Sequence, residues 1–213
     1  MKRIIGVDES GKGDFFGPLV VGGILIPDGD IAALKELGVR DSKTLSDGRA
    51  LDVDSILRAR YPHLLAVLLP SEYNAAYSVI RNLNILLARQ HAAVISDLAR
   101  QYNADLAISD KFGKPELIER ALRETGCGIE MRQIVRGESI PQVAAASIIA
   151  RAQFLREMAK LSERAGVALP KGAGSVVDQV GRQLVNRFGV EILDQLAKKH
   201  FKNYSRSLHP RLL

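Results

Sequence analysis

The sequence predicts an α/β fold, a mixed sheet covered by helices, from three observations. Apolar runs of strand length recur along the chain: "RIIGVD", "PLVVGGILIP", "HLLAVLLP", "ADLAISD" and "IEMRQIV". The segments between them carry the three-to-four-residue apolar spacing of helices. Their order is strand, strand, helices, strand, helices, strand, helix, strand, helices, the alternation expected of an α/β sheet. With 213 residues, 46% of them hydrophobic, the chain can bury a substantial core.

Each element has a local reason. "RIIGVD" opens as a short buried strand, and "PLVVGGILIP" follows as a longer one in which Gly22 and Gly23 mark a bulge or a close backbone approach. Asp30 is suited to cap a short helix through Leu37, with Gly38 as its C′ residue. The polar loop "VRDSKTLS" leads to a helix capped by Ser46 and running to about Arg60. After the strand "HLLAVLLP", a helix begins behind Pro70. "LNILLARQHAAVISDLARQY" is strongly amphipathic, with Leu87, Val94, Ile95, Leu98 and Tyr102 on related faces. "ADLAISD" is a buried strand ending in Asp110. "KPELIERALRET" is a helix stopped by Gly126, and "IEMRQIV" is the next strand. "SIPQ" has the form of a capping box, Ser139 with Gln142, opening the helix "VAAASIIARAQFLREMAKL". The remaining residues read as helices around a polar "LPKGAGS" loop. No repeat and no Pro/Gly/Ser-rich linker divides the chain, so residues 1–213 are expected to form one domain with a helical extension over about 160–213.

The formal net charge is +6, compatible with a polyanionic partner. From Gln195 onward there are five basic residues (Lys198, Lys199, Lys202, Arg206, Arg211) and no acid, which reads either as a solvated tail or as a nucleic-acid contact. Cys127 is the only cysteine, so neither an intrachain disulfide nor a cysteine zinc cluster can form, and a reducing cytoplasm is the expected location. The longest apolar run, Phe15 to Pro27, is too short and too broken by glycine and proline to span a bilayer. The strand-like start leaves no room for a signal peptide, and no membrane association is expected.

Four acids stand at element ends. Asp8 and Glu9 follow the first strand, Asp110 ends the central one, and Glu138 precedes Ser139. Alternation along a strand places Asp8 and Glu9 on different sides. Gathering four carboxylates without cations would make at least one take up a proton, or the site would open. A divalent ion such as Mg²⁺, which prefers oxygen ligands and takes a few carboxylates with substrate phosphate, removes the difficulty. Two such ions about 4 Å apart would stabilise both the attacking and the leaving oxygen of a phosphoryl displacement. Spacing alone leaves the bland readings open: Asp110 as a loop acid or helix cap, Glu138 as a partner of the helix dipole. Gly6 to Lys12 also fits the phosphate-loop pattern G-x-x-x-x-G-K, and "LAISD" could be the accompanying acid-ended strand. Against that, Asp8 and Glu9 would repel phosphate, and Gly13 offers no hydroxyl to Mg²⁺.

Taken together, these motifs resemble the type 2 ribonucleases H. "DESGKGDFFGPLVV" resembles the family's first signature in its ribonuclease HIII style, since the HII form carries D-E-x-G-R-G there. "DSKTL", "NLNILLARQHA", "SDKFG", "RGESIPQVAAASIIAR", "LPKGAGSVVD" and "LAKKHFKN" resemble later family segments in collinear order over nearly the whole chain. The resemblance implies a ribonuclease H-like fold, a five-stranded mixed sheet flanked by helices with a C-terminal helical extension. It implies metal-dependent cleavage of the RNA strand of RNA–DNA hybrids, leaving 5′-phosphate and 3′-hydroxyl ends. The carboxylates carried over are Asp8, Glu9, Asp110 and Glu138, holding Mg²⁺ or Mn²⁺ as two ions with substrate bound. Gly11, Lys12 and Gly13 match the loop that reads the ribose 2′-hydroxyl, the group that separates RNA from DNA. Ser42 and Lys43 match a loop of backbone-phosphate contact, and Lys171 falls in an HIII-like stretch with a further substrate contact. A monomer with no small-molecule cofactor is expected.

Two departures are visible. HIII proteins usually carry an N-terminal substrate-binding domain before the first signature, and here the first strand begins at Arg3. The basic C-terminal region is the expected compensation, so deleting residues 195–213 should weaken hybrid binding. HII enzymes incise at single ribonucleotides embedded in DNA with a tyrosine that stacks at the junction, and "LPKGAGS" has none. Long hybrids are therefore the expected substrate, with HII-like incision at single ribonucleotides as the alternative.

Overall fold

The computed structural model describes residues 2–39 and 44–208. Among these the strands are β1 (Arg3–Ser10), β2 (Leu19–Pro27), β3 (His63–Leu68), β4 (Leu106–Asp110) and β5 (Glu130–Ile134). The helices are α1 (Ile31–Glu36), α2 (Asp47–Arg60), α3 (Pro70–Ile80), α4 (Leu83–Tyr102), α5 (Pro115–Glu124), α6 (Pro141–Ala165), α7 (Ser175–Phe188), α8 (Ile192–Leu196) and α9 (Lys202–Leu208). The sheet order is β3-β2-β1-β4-β5. β1 runs antiparallel to β2 and parallel to β4, which is parallel to β5. This is the expected five-stranded mixed sheet with flanking helices.

The chain divides into two compact units. The first comprises Met1–Ser10, Val20–Ala66 and Asn82–Gln153. Here the β1–β2 register runs unbroken from Arg3↔Pro27 to Ser10↔Val20, so the glycine pair is not a bulge. It is a double close approach: a Cβ at Gly22 would lie 3.0 Å from Ile149 of α6, and one at Gly23 3.0 Å from Leu98 of α4. The small residues Ala144, Ala145 and Ala146 of α6 join Ile24, Ile26, Leu34, Val53 and Leu57 in one core. Leu106, Ile108 and Val143 form another. Burying these side chains stabilises the unit by roughly 1.5–3 kcal/mol for each large aliphatic residue.

The second unit comprises Gly11–Leu19, Val67–Arg81 and Phe154–Leu213. Its buried aromatic pair, Phe15 and Phe16, has ring centroids 4.8 Å apart. The Asn203 amide donates to Asp178 at 2.6 Å and to the Ala173 carbonyl at 3.0 Å, joining α9 to the start of α7. Asn74 of α3 donates to Ala197 O at 2.9 Å and accepts from Lys199 N–H at 3.0 Å.

Local chemistry explains the boundaries. Ser46 caps α2 as expected, accepting from Arg49 N–H at 3.2 Å. Pro70 is itself the first residue of α3, where its missing N–H costs nothing. One expected cap holds in position only and another is displaced: Asp30 is the N-cap residue of α1, but its side chain makes no capping bond there. Asp30 closes a 3₁₀ turn (Asp28–Asp30), and its carboxylate accepts from the Tyr61 hydroxyl at 2.9 Å. Ser139 lies inside a second 3₁₀ turn (Gly137–Ser139), and α6 starts two residues on, at Pro141. Among the described residues no helix is long and apolar enough to cross a membrane.

Candidate active site

All four predicted carboxylates belong to the first unit. Asp8 and Glu9 sit at the end of β1, one step beyond its last pair with β4, Val7↔Ser109. Strand alternation sends them apart, as expected. Asp8 turns toward α6, where the Ser147 hydroxyl bonds its carboxylate. Glu9 turns toward α4, where its Oε2 lies 3.2 Å from Nε2 of His91. The Glu9 backbone N–H donates to Asp8 Oδ1 at 2.9 Å, tying the two acids together.

The third and fourth acids are brought to one groove by a single glycine. Asp110 ends β4, and its Oδ1 accepts from the Gly137 N–H at 2.9 Å. A Cβ on Gly137 would lie 2.8 Å from Asp110 Cα, so only glycine lets the turn approach this closely. Glu138 is the next residue, and both acids line an open groove of about 910 Å³ together with Lys111, Lys114 and Arg136.

Electrostatically the site calls for positive charge. The Asp8 carboxyl is pushed up to about 7, first by burial and next by Glu9, with a smaller push from Asp110. Among the described residues, the groups that favour its ionised form, the Ser147 hydroxyl and the Glu9 N–H, are neutral. Among the described residues no three His, Cys, Asp or Glu side chains close into a ready-made metal cage. The oxygen donors nonetheless fit a hard divalent cation, because Mg²⁺ keeps several waters and takes only a few carboxylates plus substrate phosphate.

Two residues of the site were not singled out from the sequence. His91 is fully buried on α4, with its ring 4.6 Å from that of Phe112. The one available signal was its position on the apolar stripe, four residues after Leu87 and four before Ile95. Ser147 sat unmarked in a run of alanines. Partners that orient a metal-binding carboxylate are typically worth about 10–100-fold in activity. If Glu9 holds a metal as the resemblance implies, His91→Ala lowers kcat by about 10–100-fold with KM little changed, as steady-state cleavage of an RNA–DNA hybrid would measure.

The Gly11-Lys12-Gly13 loop belongs to the second unit. Gly11 has φ +87°, and a Cβ there would collide with the Pro18 carbonyl. Among the described residues Gly13 has nothing within 4 Å of its Cβ position, leaving its backbone open to approach. The segment of Lys171 is docked on this loop: Gly172 N–H donates to Asp14 Oδ1 at 2.6 Å, and Phe15 N–H to Gly172 O at 2.9 Å. Ser42 and Lys43 lie outside the described residues.

Two expectations are corrected. The phosphate-loop alternative fails because Gly6 lies within β1, and the loop after Lys12 leads into the antiparallel strand β2 rather than into a helix. The basic C-terminal run is only partly a charged surface. Lys198 is fully buried, Lys199 pairs with Asp194, and Arg206 lies 3.6 Å from Asp178. Removing residues 195–213 would strip packing as well as charge, so that deletion does not isolate an electrostatic contact.

Comparison with known proteins agrees with the fold. The family model described as Ribonuclease HII matches residues 5–204. Ribonuclease HIII of Chlamydia caviae is 42% identical over 204 residues, covering 94% of this chain and 68% of that one. The crystal structure of Bst-RNase HIII in complex with Mn²⁺ superposes with a TM-score of 0.91 at 34% identity, over 97% of this chain and 69% of that one. Aquifex aeolicus RNase H3 gives a TM-score of 0.78 at 28% identity, over 94% and 73%. The chain belongs to the type 2 ribonuclease H family, among its ribonuclease HIII members.

Proposed function

We propose that Asp8, Glu9, Asp110 and Glu138 are the metal-binding carboxylates through which this chain, an endoribonuclease of its family, cleaves the RNA strand of RNA–DNA hybrids to leave 5′-phosphate and 3′-hydroxyl ends. The observation that carries the assignment is geometric: the Glu9 N–H ties Glu9 to Asp8 Oδ1 at 2.9 Å, and the Gly137 N–H holds Asp110 Oδ1 at 2.9 Å with Glu138 in the same groove, an arrangement that crowds the Asp8 carboxyl with Glu9 and Asp110. Mg²⁺ or Mn²⁺, when bound, supplies charge neutralisation and polarises the scissile phosphate. The chain's own residues hold the donors. His91 orients Glu9, the Glu9 N–H and Ser147 orient Asp8, and the Gly137 N–H fixes Asp110 beside Glu138.

Gly11, Lys12 and Gly13 are proposed to admit the nucleotide that carries a 2′-hydroxyl. The open backbone at Gly13 supports this. Lys171, Ser42 and Lys43 are proposed phosphate contacts. The lone cysteine supports a cytoplasmic location. Long hybrids are the proposed substrate, because "LPKGAGS" has no tyrosine to stack at a single-ribonucleotide junction.

The test is a side-by-side cleavage assay with Mg²⁺ and with Mn²⁺. One substrate is an RNA strand paired with DNA, and the other is a DNA duplex holding one ribonucleotide. Cutting of the hybrid alone is expected. Cutting of both would support the HII-like alternative and show that junction recognition does not need the tyrosine. Binding without cutting in either metal would overturn the enzymatic reading.

A further inference from the structure

The second unit buries a lysine that the proposed chemistry does not use. Lys198 has no solvent exposure, and its ammonium donates to Gly17 O at 2.7 Å and Asp14 O at 2.9 Å. Its Nζ lies 5.7 Å from the centroid of the Tyr73 ring, within cation–π range. The backbone around it is stitched to the same loop. Lys198 N–H donates to Phe15 O at 2.8 Å, Gly17 N–H donates to Leu196 O at 2.9 Å, and Phe16 forms a β-bridge with Ala197. Asp14 is the hinge of the arrangement. Its N–H closes a turn onto Gly11 O at 3.3 Å, enclosing Lys12 and Gly13, while its carbonyl is held by Lys198.

A role in stability alone does not account for an ammonium here. Burial pushes the Lys198 amine down to about 7, the sign of a charge held here at a cost, and a hydrogen-bonded polar group adds only modestly to net stability. What the ammonium provides and an apolar side chain cannot is directional donors to two carbonyls of one loop. We infer that Lys198 is a positioning residue, fixing residues 14–17 and through them the shape of the Gly11–Gly13 turn that meets the substrate ribose. The inference rests on the reading that this turn touches substrate, and it extends that reading to a residue 184 positions beyond Asp14 in sequence.

The experiment is a double-mutant cycle on the full chain with Lys198→Met and Lys12→Ala, read as kcat/KM on the hybrid well below each variant's melting temperature. Mn²⁺ binding is measured by calorimetry, and folding by circular dichroism. Lys198→Met is expected to remain folded, to bind Mn²⁺ like the parent, and to lose about 10–100-fold in kcat/KM, the scale of a small misplacement of substrate-facing groups. Lys12→Ala should cost less in the Lys198→Met background than in the parent, because both act through one loop. Should Lys198→Met fail to fold, Lys198→Gln, which keeps an amide donor, carries the same cycle. A folded variant within about two-fold of the parent, or strictly additive losses, overturns the inference. If Lys12→Ala alone is silent, the reading of the loop fails and the role of Lys198 falls with it. If Lys12→Ala is impaired while Lys198→Met is not, only the positioning role is wrong.

Discussion

Asp8→Asn is expected to abolish most hybrid cleavage, about 10³-fold or ~4 kcal/mol in the barrier, while making the metal-free protein more stable above neutral pH. The two effects have one origin. The folded chain holds the Asp8 carboxyl at about 7, against 3.8 for an ordinary aspartate, because burial, Glu9 and Asp110 all oppose its charge. Between those two values the folded state binds a proton that the unfolded state has lost. Stability of the metal-free protein therefore falls as pH rises through that window, and the penalty is fully present above it. Asparagine carries no charge and escapes the penalty. A divalent cation relieves it in the parent, since a ligand bound only by the folded state stabilises that state. Melting curves in EDTA and in Mn²⁺ at pH 5 and pH 8 would check this. The parent should lose stability relative to Asp8→Asn at pH 8 in EDTA and regain it with Mn²⁺, and the variant should show little Mn²⁺ response. Asp110→Asn should share the loss of cleavage. Near-normal turnover in either variant would remove that residue from the site.

What could be read in advance follows from how local each signal is. Apolar runs closed by acids mark Asp8 with Glu9, and Asp110, because burial pattern and strand length are written in adjacent residues. The Ser46 cap was visible for the same reason. Asp30 stands at its helix start as its type suggests, but its carboxylate does not cap, because Tyr61, far along the chain, takes it. The Ser139 box gave way to Pro141, whose ring pre-sets the first helical residue. His91 and Lys198 escaped notice for a common reason. A charged or polar side chain shows its type in the sequence, but whether it faces water or a distant carboxylate or carbonyl depends on contacts across 82 residues for His91 and 184 for Lys198. The lysine was consequently grouped with a basic tail although it is fully buried. The approach of Gly137 to Asp110 is equally non-local, and it is what places Glu138 in the groove.

Gly6→Ala is expected to destabilise the protein by about 3 kcal/mol and to lower cleavage by about 10²-fold, although Gly6 is none of the candidate site residues. Alternation along β1 puts Gly6 on the same face as Asp8, against α6. A Cβ there would collide with the Gln142 carbonyl and stand 2.7 Å from Val143 N. Both obstacles are backbone, so no rotamer change can make room. The first two turns of α6 are also anchored by Val143, Ala144, Ala145 and Ala146, all buried. Either β1 or the start of α6 has to shift, and each carries part of the site. Asp8 lies two residues after Gly6, Glu138 lies three before Pro141, and Ser147 rides on α6 itself. A displacement of about 1 Å between them is enough to spoil the chemistry before it unfolds the protein. Urea denaturation and kcat on the hybrid would measure both effects. Gly48→Ala in α2 is the control: its Cβ meets nothing within 4 Å, and helix propensity favours alanine by up to about 1 kcal/mol. If Gly6→Ala were as stable and active as Gly48→Ala, the close seating of α6 on β1 would not be what sets the geometry of the acids.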